Sequence, residues 1–165
     1  MTKLFKTAAL SATAALALGA NAAHAADATA TATAQILEQI TVTRTSHLNF
    51  GTIVPDTAAS GNVTVAATSA GTRTCDANLT CAGAASVSSA AFDVTASAGS
   101  TVSVTGLTGL TQLTSGTDTM AVSLAGSTLD LSLGSDTLYV GGDLTVGANQ
   151  PTGTYTGNFT VSVNY

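Results

Sequence analysis

Apolar and polar residues alternate one for one through most of this chain, and the pattern is cleanest near residue 165. There Tyr155, Phe159, Val161, Val163 and Tyr165 share one parity, while Thr154, Thr156, Asn158, Thr160, Ser162 and Asn164 take the other. Successive side chains of a β-strand point to opposite faces, so this period predicts a half-buried strand over 155–165. A turn rich in Asn, Pro and Gly precedes it at 149–153. Gly157 falls on the apolar parity and predicts a bulge or a close backbone approach.

The same alternation recurs upstream in short runs bounded by Gly, Asp, Asn and Ser. It predicts strands over 36–45, 47–54, 62–67, 92–98, 101–105, 119–124, 128–133 and 138–146. With the 155–165 run this makes about nine strands, spaced as in sandwiches and small barrels. The leucines of 106–115 fit either a loop over the core or one more short strand. Helical periodicity is absent beyond residue 25, so the chain reads as all-β.

A second informative stretch is 26–42. The even positions Ala28, Ala30, Ala32, Ala34, Ile36, Ile40 and Val42 are apolar, broken only by Glu38, and most odd positions are Thr or Gln. Extended, residues 26–35 span roughly 33 Å. They are either a flexible Ala/Thr leader or a strand that pairs with its own domain or with a neighbour.

Composition and charge narrow the class. Lys3 and Lys6 precede an apolar run over 7–20 and the small-residue signal Ala23-His24-Ala25, the pattern of a secretory signal peptide. Cleavage after Ala25 would leave 140 residues, enough for one domain with one core, and export through the Sec pathway to the periplasm and then the cell surface or medium is expected. No later segment is apolar enough for a membrane helix, so no membrane insertion is expected. Arg44 and Arg73 would be the remaining cations against nine carboxylates, a balance that disfavours phosphate backbones and nucleic acid. Abundant Thr and Val argue against disorder despite the 8% of charged residues.

Candidate chemistry is sparse. Cys75 and Cys81, with five residues between them in an exported chain with no other cysteine, point to a disulfide across a hairpin or loop. His47 is the one histidine after residue 25, too few N and S ligands for zinc and no partner for a serine nucleophile. Asp56, Asp76, Asp93, Asp118, Asp130, Asp136 and Asp143 are scattered beside turn residues, where Asp bonds its own backbone. Gly141-Gly142 lacks a phosphate-loop context and reads as turn or bulge glycines. We expect no enzyme, cofactor or metal.

Two stretches carry a family resemblance. The segment from His47 through Leu48, Asn49, Phe50, Gly51, Thr52, Ile53 and Val54 to Pro55, and the segment 144–157 with its following Val-x-Val-x-Tyr, resemble the family catalogued as domain of unknown function 4402. More distantly the same two anchors are similar to spore-coat-U-like and chaperone–usher pilin subunits. The resemblance implies an immunoglobulin-like, pilin-like β-sandwich that lacks one strand, its groove filled by a periplasmic chaperone and then by the N-terminal extension of the next subunit after passage through an outer-membrane usher. Carried onto this chain, the donor strand would be Ala28, Ala30, Ala32, Ala34 and Ile36, and the groove edge would be Tyr155, Phe159, Val161, Val163 and Tyr165. The expected division is 1–25 signal peptide, 26–35 extension and 36–165 sandwich. The expected function is a structural subunit of a bacterial surface fibre built from copies of itself or sister subunits; the alternative is a monomeric secreted or surface-attached binding module, for example for carbohydrate, or a coat protein.

Overall fold

A computed structural model describes residues 26–83 and 86–165. Residues 1–25, expected from the sequence to be a signal peptide, lie outside the described residues. The chain divides into two units, Met1–Gln35 and Ile36–Tyr165. Within the first, residues 26–35 form no helix or strand and each is exposed.

The second unit is all-β and antiparallel throughout. Its strands are β1 (Thr41–Ser46), β2 (Thr52–Val54), β3 (Gly61–Val65), β4 (Arg73–Cys75), β5 (Thr80–Ala82), β6 (Ala90–Thr95), β7 (Ser103–Thr105), β8 (Gln112–Ser115), β9 (Asp118–Gly126), β10 (Ser135–Val146) and β11 (Ser162–Asn164). A 3-10 turn, Leu107–Gly109, precedes β8. Seven strands form the main sheet, and β2–β5 and β7–β11 form two-stranded ribbons.

Strand β10 organises the main sheet. Val140 pairs with Ala90 of β6 and also with Gly126 of β9, while residues 142–144 pair with both β3 and β9. A strand has two edges, so β6 and β3 must share one of them in succession, with β9 on the other. The exchange falls at Gly141-Gly142, where a Cβ on Gly141 would run into the Val65 carbonyl oxygen and one on Gly142 would lie 2.5 Å from that of Ser123. These glycines therefore serve a close approach inside a strand, which corrects only the turn half of their reading as turn or bulge glycines.

The alternation of β10 survives this exchange. Leu138 and Val140 point into one core cluster with Phe92, Val94, Leu131 and Val163. Leu144 and Val146, of the same parity, point into another with Phe50, Val63, Val65, Met120 and Val122. Leu138, Leu144, Val63, Val65, Val94 and Val140 are completely buried. Each contributes about 1.5–3 kcal/mol by leaving water.

Several strand boundaries differ from those read in the sequence. The 128–133 run is a loop, because Asp130 accepts from Ser132 N at 3.0 Å and its own N–H donates to the Asp136 carboxylate at 2.7 Å. Such side-chain bonds compete with a ladder. Of 36–45 only the part from Thr41 is strand, and of 47–54 only Thr52–Val54. Strands β4, β5 and β8 were not among the sequence-based strands; β8 and the 3-10 turn occupy the ambiguous 106–115 stretch.

Candidate functional site

The 155–165 segment keeps its alternating face but pairs only near its ends. Thr156 bridges Thr114 through two backbone bonds of 2.9 Å, and Ser162–Asn164 pair with β7. Residues 157–161 lie against no strand among the described residues. Tyr155, Phe159 and Val161 are half-buried, Val163 is buried and Tyr165 is 47% exposed. Tyr155 joins the cluster around Leu144, and Phe159, Val161 and Val163 join the one around Leu138. Phe159 packs edge-to-face on Phe92 at 6.1 Å between ring centres.

Beside this segment runs a groove of about 700 Å³. One wall is residues 48–53 with Pro55, the other is residues 150–159, and Met120, Val122, Leu144 and Val146 make the floor between them. On the first wall β2 is paired on one edge by β5; on the second Thr156 is paired by Thr114. Each wall has a second edge with no strand against it among the described residues. The backbone donors and acceptors of such an edge are a template for another strand.

The walls are tied at one end. Asn149 N donates to the Asp56 carbonyl and Asn149 Nδ2 to the Thr57 carbonyl, both at 2.8 Å. Since one wall ends at this tie and the other starts from it, they run antiparallel, and an inserted strand would be parallel to one and antiparallel to the other. Gln150 fixes the second wall: its Nε2 donates to Thr119 O at 3.1 Å and to the Tyr155 hydroxyl at 2.9 Å, and that hydroxyl donates to Pro151 O at 2.8 Å.

Arg73 fixes the first wall, a role that nothing in the alternation pattern signals. Its Nη1 donates to the Phe50 carbonyl at 2.9 Å and its Nη2 to that of Ala82 at 3.1 Å. Gly51, with φ of 76°, lets the guanidinium reach these oxygens, because a Cβ there would collide with Nη1. Cys75 and Cys81 are disulfide-bonded. The bond joins β4 of the main sheet to β5 of the ribbon, so it braces the same wall.

The remaining candidate side chains do not line the groove. His47 is exposed. Asp56 caps the turn after the first wall, accepting from Ala58 N at 2.6 Å and Ala59 N at 2.9 Å, and these bonds hold its carboxyl below the usual carboxylate range. Asp130 is lowered in the same way by Ser132. Among the described residues no three His, Cys, Asp or Glu side chains gather as metal ligands. No helix among them is long and apolar enough to cross a membrane.

The family model described as domain of unknown function, DUF4402, matches residues 40–165. The chain belongs to this family. Both walls and the floor of the groove lie inside the matched DUF4402 region, whereas Ala28, Ala30, Ala32, Ala34 and Ile36 precede it. No curated protein and no solved structure matches the chain.

Proposed function

We propose that this DUF4402 chain is a structural subunit of a bacterial surface fibre, assembled when the 28–36 segment of one copy enters the groove of the next. The observation that carries the reading is the groove itself, about 700 Å³ over an apolar floor, between two walls whose second edges have no strand against them among the described residues. Main-chain bonds to both edges would supply affinity and alternate side chains would supply register. Residues 26–35 are exposed, and Ile36 is 95% exposed. Because the contact joins two different surfaces of successive copies it is head-to-tail, the kind that builds filaments where the rotation between copies does not close a ring.

An immunoglobulin-like sandwich missing one strand is the architecture that fits this reading. The Tyr155 hydroxyl bonding back to Pro151 O supports it, since that fold commonly carries a tyrosine whose hydroxyl returns to the backbone a few residues upstream. In the proposed route the chain passes the Sec pathway, meets a periplasmic chaperone that covers the groove, and is delivered through an outer-membrane usher. The test is a gel of unboiled surface extract comparing the full chain with a variant lacking residues 26–35. A ladder of heat-sensitive multimers that disappears in the variant is expected; monomer from both would overturn the proposal.

A further inference from the structure

The groove floor is already filled. Met120, Val122, Leu144 and Val146 are buried to 9% exposure or less with no strand above them among the described residues, and the large apolar residues exposed among those residues lie elsewhere. Ile36, Leu37, Val42, Val54, Leu133 and Tyr165 are those residues, and none of them lines the groove. A groove waiting for bulky side chains to complete its core would leave its floor open to water. Here the floor is closed, and the apolar surface still half open to water lies around it, at Leu48, Ile53, Tyr155 and Phe159.

Charge points to the same occupant. No residue lining the groove is charged. Between Asp27 and Glu38 the chain has ten uncharged residues, with Ala at 28, 30, 32 and 34 on one face and Ile36 as the single large residue of that parity. Nine residues over 28–36 extend to about 30 Å. Glu38, where the uncharged run stops, is held in its own domain through Ser97 Oγ and Tyr165.

Resting on the strand-donation reading, we infer that the groove is selective for small side chains and takes the alanine face of residues 28–34 from a second copy, with Ile36 setting the register. The alanine methyls seat on the closed floor without displacing it, and the threonines at 29, 31 and 33 face outward. Affinity then comes mainly from backbone pairing along both walls, and a larger side chain on the alanine face lifts the donor away from those edges.

The test uses the full chain with Ala30→Leu, Ala32→Leu and, as the control of opposite parity, Thr31→Leu, read as the fraction of protein in heat-sensitive multimers. The altered residues lie in the exposed segment, so all three monomers should unfold at the wild-type temperature. Leu at 30 or 32 is expected to reduce the multimer fraction at least about tenfold, the factor that ordinary overpacking produces, while Thr31→Leu leaves it unchanged. Multimers as abundant or more so with Leu at 30 and 32 would overturn small-residue selectivity and leave strand donation standing. Equal loss with Thr31→Leu would overturn the face assignment and the inference with it. No multimers from the wild-type chain would overturn both.

Discussion

The Tyr165 hydroxyl donates to the Glu38 carbonyl at 2.5 Å, joining two positions 127 residues apart in sequence. The same oxygen accepts from Ser97 N at 3.0 Å, and Glu38 N donates to Ser97 Oγ at 2.6 Å. Three segments thus meet around one phenol, just after the exposed Ile36. In the strand-donation reading this knot fixes the point from which a donor strand leaves its own domain.

Tyr165→Phe keeps the ring and removes both hydrogen bonds. Because the site is half open to water, the expected loss is about 1 kcal/mol, or a drop of about 3–5 °C in unfolding temperature for a domain of this size. Thermal unfolding followed by circular dichroism checks it. An unchanged midpoint would mean that water replaces the phenol at no cost.

The disulfide closes a short loop, with its cysteines 6 positions apart, so chain entropy assigns it about 2 kcal/mol. Its placement predicts more than that number does. With Cys75→Ser and Cys81→Ser together, β5 loses its covalent tie to the main sheet, and β2 has β5 as its one strand partner among the described residues. Backbone amides of Thr52–Val54 and Thr80–Ala82 should therefore exchange with solvent faster relative to those of β10 than they do in the wild type. Uniform acceleration across all strands would show that the bond acts only on the unfolded chain.

Much of this architecture was legible in the alternation. The buried parity of β10, the half-buried parity of 155–163 and the cysteine pairing follow from residue type and spacing alone. Pairing was not legible in the same way. The 128–133 run alternates like a strand, yet Asp130 and Asp136 satisfy its backbone locally; conversely, 157–161 alternates, is half-buried on its apolar parity and finds no strand beside it among the described residues. Periodicity reports which face is apolar, not whether an edge has a neighbour. For that reason the alternation alone did not reveal the groove, whose edge at 155–165 came only from the family resemblance and whose first wall at 48–53 was not foreseen; Arg73 escaped because its bonds are to carbonyls, which carry no sequence signature.

Acid should weaken the two turns that Asp56 and Asp130 cap. The carboxyls of Asp56 and Asp130 are held below their ordinary value by bonds from Ala58 and Ala59 and from Ser132. A depressed folded-state value means that the stabilisation is present above the unfolded value of about 3.9 and is lost as pH falls through the lower folded value. Unfolding temperature is therefore expected to be level from pH 7 to about pH 5 and to fall below about pH 4. Asp56→Asn with Asp130→Asn keeps an acceptor oxygen in each turn without a titrating group. The double variant should show a shallower fall, and an identical acid limb would place the acid sensitivity in other carboxylates.

Arg73 gives the sharpest separation of stability from assembly. Its guanidinium spans the Phe50 and Ala82 carbonyls, one on the groove wall and one on β5, and a lysine ammonium cannot span both in that fork geometry. Arg73→Lys leaves at least one carbonyl without its charged donor, an expected loss of about 1.5–3 kcal/mol in urea unfolding. Gly51→Ala should act through the same contact, since its methyl would occupy the space of Nη1. The two changes together should then cost less than the sum of each alone, the signature of a shared interaction. If the first wall must hold its position to accept a donor, both variants also lower the multimer fraction at temperatures where their monomers are fully folded. Folded monomers that assemble like the wild type would confine Arg73 to a purely structural role.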